Sequence, residues 1–314
     1  MVAALPVPKD APLVEATRAR PARDEFETIQ PLKGHSGAEV VLCLRGQTSV
    51  VRKTSGSVAQ NRRLQDQMAK QRLLTAHGLP FPRVLAEGID PIGRAYAEME
   101  YVPARTVASV IAAAAPFDQS QLLKAVERAL TLFRMTASNT LDPEIFRGKI
   151  GDIIANADAV ASAPLANEIV RAGNELLGRD WSAIPASSCH GDLTLENILL
   201  HQRRTVFIDC DETFASSYWL DLSKLFQDVD GHWCLRHLYL DAPTGTALVN
   251  AIGRLHRLAA PLRALAGAIA PNFAAYKPQL TALNLFRTIP YTSDTRQIAF
   301  VLSRMRFLLS TAEA

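Results

Sequence analysis

Between residues 187 and 212 the chain reads SSCHGDLTLENILLHQRRTVFIDCDE. His190, Gly191, Asp192, Glu196 and Asn197 interrupt apolar stretches there. Asp209 and Asp211 close an apolar, strand-like run. Carboxylates next to buried segments are costly unless a positive group meets them. Asp192 and Asn197 lie five residues apart across a loop, and Asp209 lies twelve beyond Asn197. An Asp, an Asn and a second Asp offer hard oxygen ligands. Such a set suits Mg²⁺ shared with phosphates, because Mg²⁺ keeps several waters and takes only one or two protein carboxylates. The spacing therefore points to a magnesium ion arriving with a nucleotide. The bland alternative is a polar turn between two strands with its carboxylates in water.

The elements that must position these residues show in the hydrophobic pattern. Residues 1–24 read as an irregular leader rich in Pro, Ala and Arg. Val40–Leu44 and Ser49–Val51 are β-branched runs separated by turn residues, which predicts strands in a hairpin. Residues 57–77 lack Gly and Pro. Leu64, Gln67, Met68, Gln71 and Leu74 share one helical face by spacing, and Gly78 stops the run. RVLAEGI and RAYAEMEYV predict two further strands. After Pro103 the texture becomes Ala- and Leu-rich and helical, with breaks expected near Pro116, Pro143 and Pro164. Two short strands are expected at about 197–200 and 205–209, and the helical pattern resumes from 219. Segregated strands and helices predict an α+β fold with two lobes: a leader (1–24), a β-rich lobe (25–102) and a helical lobe (103–314).

Bulk composition narrows the function classes. The chain has 314 residues, 48% hydrophobic and 21% charged, with net charge +3. That charge is too mild, and Lys and Arg too scattered, to argue for nucleic acid. Cys43, Cys189, Cys210 and Cys234 have no C-x-x-C spacing, so reduced thiols are expected rather than disulfides or zinc. No apolar stretch reaches membrane-spanning length, and the first twenty residues lack a signal-peptide core. A cytoplasmic protein is expected.

HGDLTLENILL followed by FIDCDE resembles the aminoglycoside phosphotransferase and choline kinase group of the protein-kinase-like fold. The resemblance implies a bilobal molecule with a small antiparallel β-sheet lobe carrying one helix and a larger helical lobe. It implies ATP and Mg²⁺ as cofactors. Asp192 would be the catalytic base, with Asn197 and Asp209 as metal ligands. His190 would be a structural hydrogen-bonder, and Asp221 would brace the loop. In KGHSGAEV, Gly34, Ser36 and Gly37 would let backbone N–H groups approach phosphates; a plain hairpin turn fits as well. Lys53 in SVVRKTS, with Val51 on its face and Arg52 on the other, would contact the α/β-phosphates. MEYVP resembles the kinase hinge, so the Glu100 C=O and the Val102 N–H would bind adenine; a simple linker is the alternative. In this fold a helix glutamate usually pairs with the strand lysine. Residues 54–77 hold one acid, Asp66, and no glutamate. Gln67 stands at the expected place, so Lys53 would be held by Gln67 or Gln71, or by Asp66 after a small helix rotation.

Only eleven residues separate Asp209 from Asp221, too few for a peptide-docking segment, which favours a small-molecule hydroxyl acceptor. In residues 213–314, Asp221, Asp228, Asp230, Asp241, Asp294 and Glu313 face ten Lys and Arg. That balance leans to a neutral or anionic acceptor such as a sugar or glycan precursor, although FQDVDGHW could line an acidic patch for a cationic aminoglycoside or choline. Tyr218, Trp219 and Trp233 could stack on sugar rings or sit in the core. His232 and His237 lack metal-ligand spacing. A rival from another class is a catalytically idle nucleotide-binding module that regulates a partner.

Overall fold

The fold is taken from a computed structural model in which residues 26–32, 37–202, 204–211, 214–241 and 245–310 are described. The leader, Gly34 and Ser36 lie outside the described residues. The chain divides into two compact units.

The strand unit holds the described residues up to 104 together with the segment 206–211. Strands β1 (Phe26–Pro31), β2 (Glu39–Arg45), β3 (Thr48–Thr54), β4 (Val84–Ile89) and β5 (Ala95–Glu100) form an antiparallel sheet in the order β1-β2-β3-β5-β4. Strand alternation then sorts β3. Val51 packs into the core, Lys53 is buried, and Arg52 projects to the other face, stacked over Tyr96 and paired with the buried Glu98. Helix α1 (Asn61–Ala76) buries the expected face, Leu64, Gln67, Met68, Gln71 and Leu74. Leu64 and Met68 pack on Ala95, Ala97 and Met99 of β5. Asn61 pins the start of α1: its Oδ1 accepts from the Ala95 N–H at 2.7 Å and its Nδ2 donates to the Gly93 carbonyl at 2.8 Å. Gly78, with φ +79°, ends the run in a conformation that favours glycine.

The helical unit comprises residues 105–205 and, among the described residues, 214–310. It runs β6 (Arg105–Thr106), α2 (Val107–Ala112), α3 (Gln119–Arg134), α4 (Pro143–Ala155), α5 (Ala157–Val160) and α6 (Ala163–Leu177). Next come β7 (Ile198–His201) and β8 (Arg204–Phe207), the last two residues of β8 already belonging to the strand unit. The helices α7 (Tyr218–Val229), α8 (Arg236–Asp241), α9 (Thr246–Ile269), α10 (Phe273–Phe286) and α11 (Thr295–Ser310) follow. The second sheet has the order β6-β7-β8. Pro143 and Pro164 begin helices rather than merely interrupt them. Each lies in a first turn, where a missing N–H costs nothing, behind Asp142 and Ser162. Helix α7 packs against α3, α9 and α10, so nearly all of its residues are buried, polar ones included. Tyr218 and Trp219 belong to that core, Trp219 lying against Phe273 and Tyr276. None of the four cysteines is in a disulfide, and all four are buried. Among the described residues no helix is long and apolar enough to cross a membrane.

Candidate active site

In the helical unit the residues His190 to Asn197 form an irregular loop entering a 3₁₀ turn, Leu195–Asn197, before β7. Gly191 has φ +97°, a backbone position that favours glycine. Such a loop leaves N–H groups that need acceptors. Helix α7 supplies them from one face. Asp221, Lys224 and Asp228 recur at i, i+3 and i+7 and meet the loop in its own order. Asp221, fully buried, accepts from the His190 N–H at 2.5 Å and the Gly191 N–H at 2.9 Å. Lys224 Nζ lies 3.0 Å from Asp192 Oδ1. Asp228 Oδ2 accepts from the Leu195 N–H at 2.6 Å. His190 stays beneath the loop, its Nδ1 accepting from the Asp192 N–H at 3.3 Å.

Two ionisation states follow. For Asp192, burial opposes the charge. The Lys224 ammonium and its hydrogen bond, with the Arg287 charge behind them, outweigh that and hold the carboxyl below the usual range. Its side chain is 41% exposed, so the carboxylate remains open to a reactant. Asp228 goes the other way. Burial first, then the Glu196 charge, push it up from 3.8 to about 8, against the Leu195 hydrogen bond and the charges of Arg236 and Lys224. It is a neutral acid at pH 7. Among the described residues its second oxygen has no partner.

Asn197 donates through Nδ2 to both the Asp192 carbonyl and Asp192 Oδ2, each at 2.8 Å. That commits its nitrogen and leaves its oxygen as the atom open to a hard cation. The helical unit thus brings Asp192 and Asn197 together as the sequence predicts.

In the strand unit the end of FIDCD lies against β3 and α1. Lys53 Nζ is 2.8 Å from Asp209 Oδ1, the lysine 4% exposed and the aspartate 47%. This corrects the sequence expectation. Among the described residues Lys53 is held neither by Gln67 nor by Gln71 nor by Asp66. Gln67 Nε2 donates to Asp211 Oδ1 at 2.7 Å, Gln71 Nε2 to the Pro82 carbonyl at 2.7 Å, and Asp66 pairs with Arg62 at 2.9 Å. The physical reason is local: the FIDCD turn reaches Lys53 first and offers a full charge, where a glutamine offers only a dipole. Asp209 has φ +56°, a sparsely populated conformation for a non-glycine residue. Burial drives the thiol of the intervening Cys210 up to about 12, so it stays neutral.

The remaining predicted residues are placed as follows. Gly37 has φ +75°, a backbone position that favours glycine, and a Cβ on Gly56 would meet the Gly37 carbonyl at 2.2 Å, so Gly56 has no room for a side chain. Glu100 ends β5, its side chain toward Arg83, and Val102 is buried. The FQDVDGHW stretch is not an acidic patch. Asp228 is buried and neutral, and Asp230 is neutralised by Arg263 at 2.6 Å and Lys277 at 2.8 Å. His232 is a buried residue bonded to the Tyr239 hydroxyl at 2.6 Å. Burial, then the charges of Arg304 and His256, lower it to about 3. Arg236 lies over Trp233 and pairs with Glu196.

Residues 28–242 match the family model described as the phosphotransferase enzyme family, APH. The chain belongs to this family. No curated protein matches it. Among solved structures it is similar to a thermostable variant of aminoglycoside phosphotransferase APH(4)-Ia in a ternary complex with ADP and hygromycin B. The identity is 13%, covering 91% of this chain and 94% of that one, with TM-score 0.59. It is also similar to a protein described as a fructosamine-3-kinase from Haemophilus somnus 129PT, at 12% identity, 90% and 92% coverage and TM-score 0.55. A type VIII aminoglycoside-3'-phosphotransferase matches at 17% identity, 89% and 93% coverage and TM-score 0.53. These likenesses establish the α+β protein-kinase-like fold expected from the catalytic-loop motif. As a member of a phosphotransferase enzyme family, the chain is an enzyme.

Each unit also keeps one oxygen donor of the kind a hard cation takes. Among the described residues no cluster of three His, Cys, Asp or Glu could hold an ion by itself. Asp209 keeps one oxygen beyond Lys53, and Asn197 keeps its amide oxygen. A side-chain oxygen of this kind suits Mg²⁺, whose shell phosphate and water complete.

Proposed function

We propose that this phosphotransferase moves the γ-phosphoryl group of ATP to a hydroxyl of a small neutral or anionic molecule, such as a sugar or glycan precursor. The observation that carries this reading is Asp192: an ionised, solvent-open carboxylate fixed between Lys224 and Asn197. The acceptor hydroxyl donates to Asp192, and its oxygen attacks the γ-phosphorus as the bond to the β-phosphate oxygen breaks. Asp192 receives the proton. A carboxylate with a lowered pKa is a weak base, so its main contribution is to orient the hydroxyl while proton transfer runs late. That suits a loose transition state with little nucleophile bonding. Lys53 neutralises the α/β-phosphates. Gly34, Ser36 and Gly37 offer the phosphate loop, and Glu100 and Val102 the adenine contacts. Asn197 and Asp209 would hold Mg²⁺, which supplies charge neutralisation on the phosphates when bound. Gln67 acts from outside the nucleotide.

The acceptor class follows from charge. Lys224 and Arg287 bear on Asp192, while the acids of 226–233 are neutral or paired. A positive surround disfavours a polycationic acceptor. A screen of sugars, sugar phosphates, aminoglycosides and choline, read by ADP formation with MgATP, tests this. Turnover by sugars or sugar phosphates that is lost in Asp192→Asn supports the reading. Turnover confined to aminoglycosides or choline, or retained in Asp192→Asn, overturns it.

A further inference from the structure

Helix α1 meets the FIDCD turn through Asp211, and the charges stand opposite to what a helix acid on Lys53 would require. Arg63, Gln67 and Lys70 recur at i, i+4 and i+7 on one face of α1. Arg63 Nη2 lies 2.5 Å from Asp211 Oδ2, and Gln67 Nε2 donates to Asp211 Oδ1 at 2.7 Å. Lys70 Nζ donates to the Asp211 carbonyl at 2.6 Å, and Cys210 Sγ lies 3.7 Å from the Gln67 carbonyl. Three side chains of one helix thus close on one residue, and that residue is two positions from Asp209.

Asp209 needs such support. Its φ of +56° is sparsely populated for a residue with a Cβ, and it persists only where neighbours over-determine it. Lys53 fixes the Asp209 carboxylate from β3, and the Asp211 anchor fixes the backbone behind it. We infer that Asp211, clamped by Arg63, Gln67 and Lys70, is the positioning residue that sets Asp209 for the magnesium–nucleotide complex, in place of a helix carboxylate on Lys53. The inference rests on the function proposed above. It also explains Gln67. A glutamate there would lie against Asp211, and two facing carboxylates repel.

The clamp is tested by reversing it. Full-length wild type, Gln67→Glu, Asp211→Asn and the double variant are titrated with AMP-PNP, with and without Mg²⁺, by calorimetry. Circular dichroism and thermal melting check each fold. Gln67→Glu is expected to weaken the magnesium-dependent part of binding by at least about tenfold, as loss of support behind a metal ligand does. Metal-free binding should stay near wild type. Asp211→Asn should weaken it less, because the Gln67 hydrogen bond survives. The double variant should regain most of the loss, since the introduced helix carboxylate then accepts from the introduced amide on the turn and keeps Arg63 paired. Wild-type magnesium dependence in both single variants overturns the clamp, as does a double variant no better than its worse parent. If Gln67→Glu does not fold, Asp211→Asn decides alone: unchanged magnesium-dependent binding overturns the clamp. A wild type that binds AMP-PNP equally with and without Mg²⁺ defeats the proposed function itself, which separates the two failures.

Discussion

Removing the Asp221 carboxylate should cost stability that can be worked from two hydrogen bonds. Asp221 is fully buried and accepts from the backbone N–H groups of His190 and Gly191 at 2.5 and 2.9 Å. Hydrogen bonds to a charged group contribute about 1.5–3 kcal/mol each, and a buried donor left unmade costs a similar amount. Asp221→Ala should therefore destabilise the helical unit by about 3–5 kcal/mol, toward the lower end where water can enter the gap. Asp221→Asn keeps one oxygen but turns an amide nitrogen toward a donor, so about half that cost is expected. The assay is built in: Trp181, Trp219 and Trp233 are the three tryptophans, and all lie in the helical unit. Guanidinium titration followed by tryptophan fluorescence reports that unit, and an unchanged slope keeps the comparison valid. Turnover should also fall well below the melting range, because the loop carrying Asp192 loses its support. A shift under about 0.5 kcal/mol for Asp221→Ala, the size expected of an ordinary surface substitution, would refute the reasoning.

Three further outcomes follow from the charges. Asp228 is protonated in the folded chain up to about pH 8 and ionised above 3.8 when unfolded, so folding takes up a proton in that window. Stability should fall as pH rises between those values, by up to about 1.4 kcal/mol per unit from this group, and level off above; denaturant midpoints of Asp228→Asn should lack that slope. Lys224→Met removes the strongest influence holding Asp192 ionised, so the acid limb of its kcat–pH profile should move to higher pH, while an unmoved limb would separate Lys224 from Asp192. Lys53→Ala should raise the ATP KM and cut kcat, on the order of 10²-fold in kcat/KM, and unchanged kinetics would remove Lys53 from the site.

The parts legible in the sequence are those that local pattern controls. Alternation in SVVRKTS puts Lys53 inward and Arg52 outward, and helical spacing selects the buried face of α1. The loop motif brings Asp192 and Asn197 together because one hydrogen-bonded turn spans them. What escaped depends on contacts between segments distant in the chain. Lys224 and Asp228 stand on a visible polar stripe of YWLDLSKLFQDV, yet linear order does not say that this stripe faces a loop about thirty residues earlier. The same holds for Asp211. Its attraction to Arg63, Gln67 and Lys70 crosses more than 140 positions, so Gln67 reads as a partner of Lys53 until the turn is in place. Proline carries a related lesson: Pro143 and Pro164 look like breaks, and they are helix starts once Asp142 and Ser162 precede them.

Calorimetry of AMP-PNP binding to wild type and Asp209→Asn, each with and without Mg²⁺, tests the central claim most directly. The account predicts that magnesium tightens binding to the wild type and that Asp209→Asn abolishes the difference. Binding that is indifferent to magnesium in the wild type, or a magnesium effect that survives intact in Asp209→Asn, would contradict it.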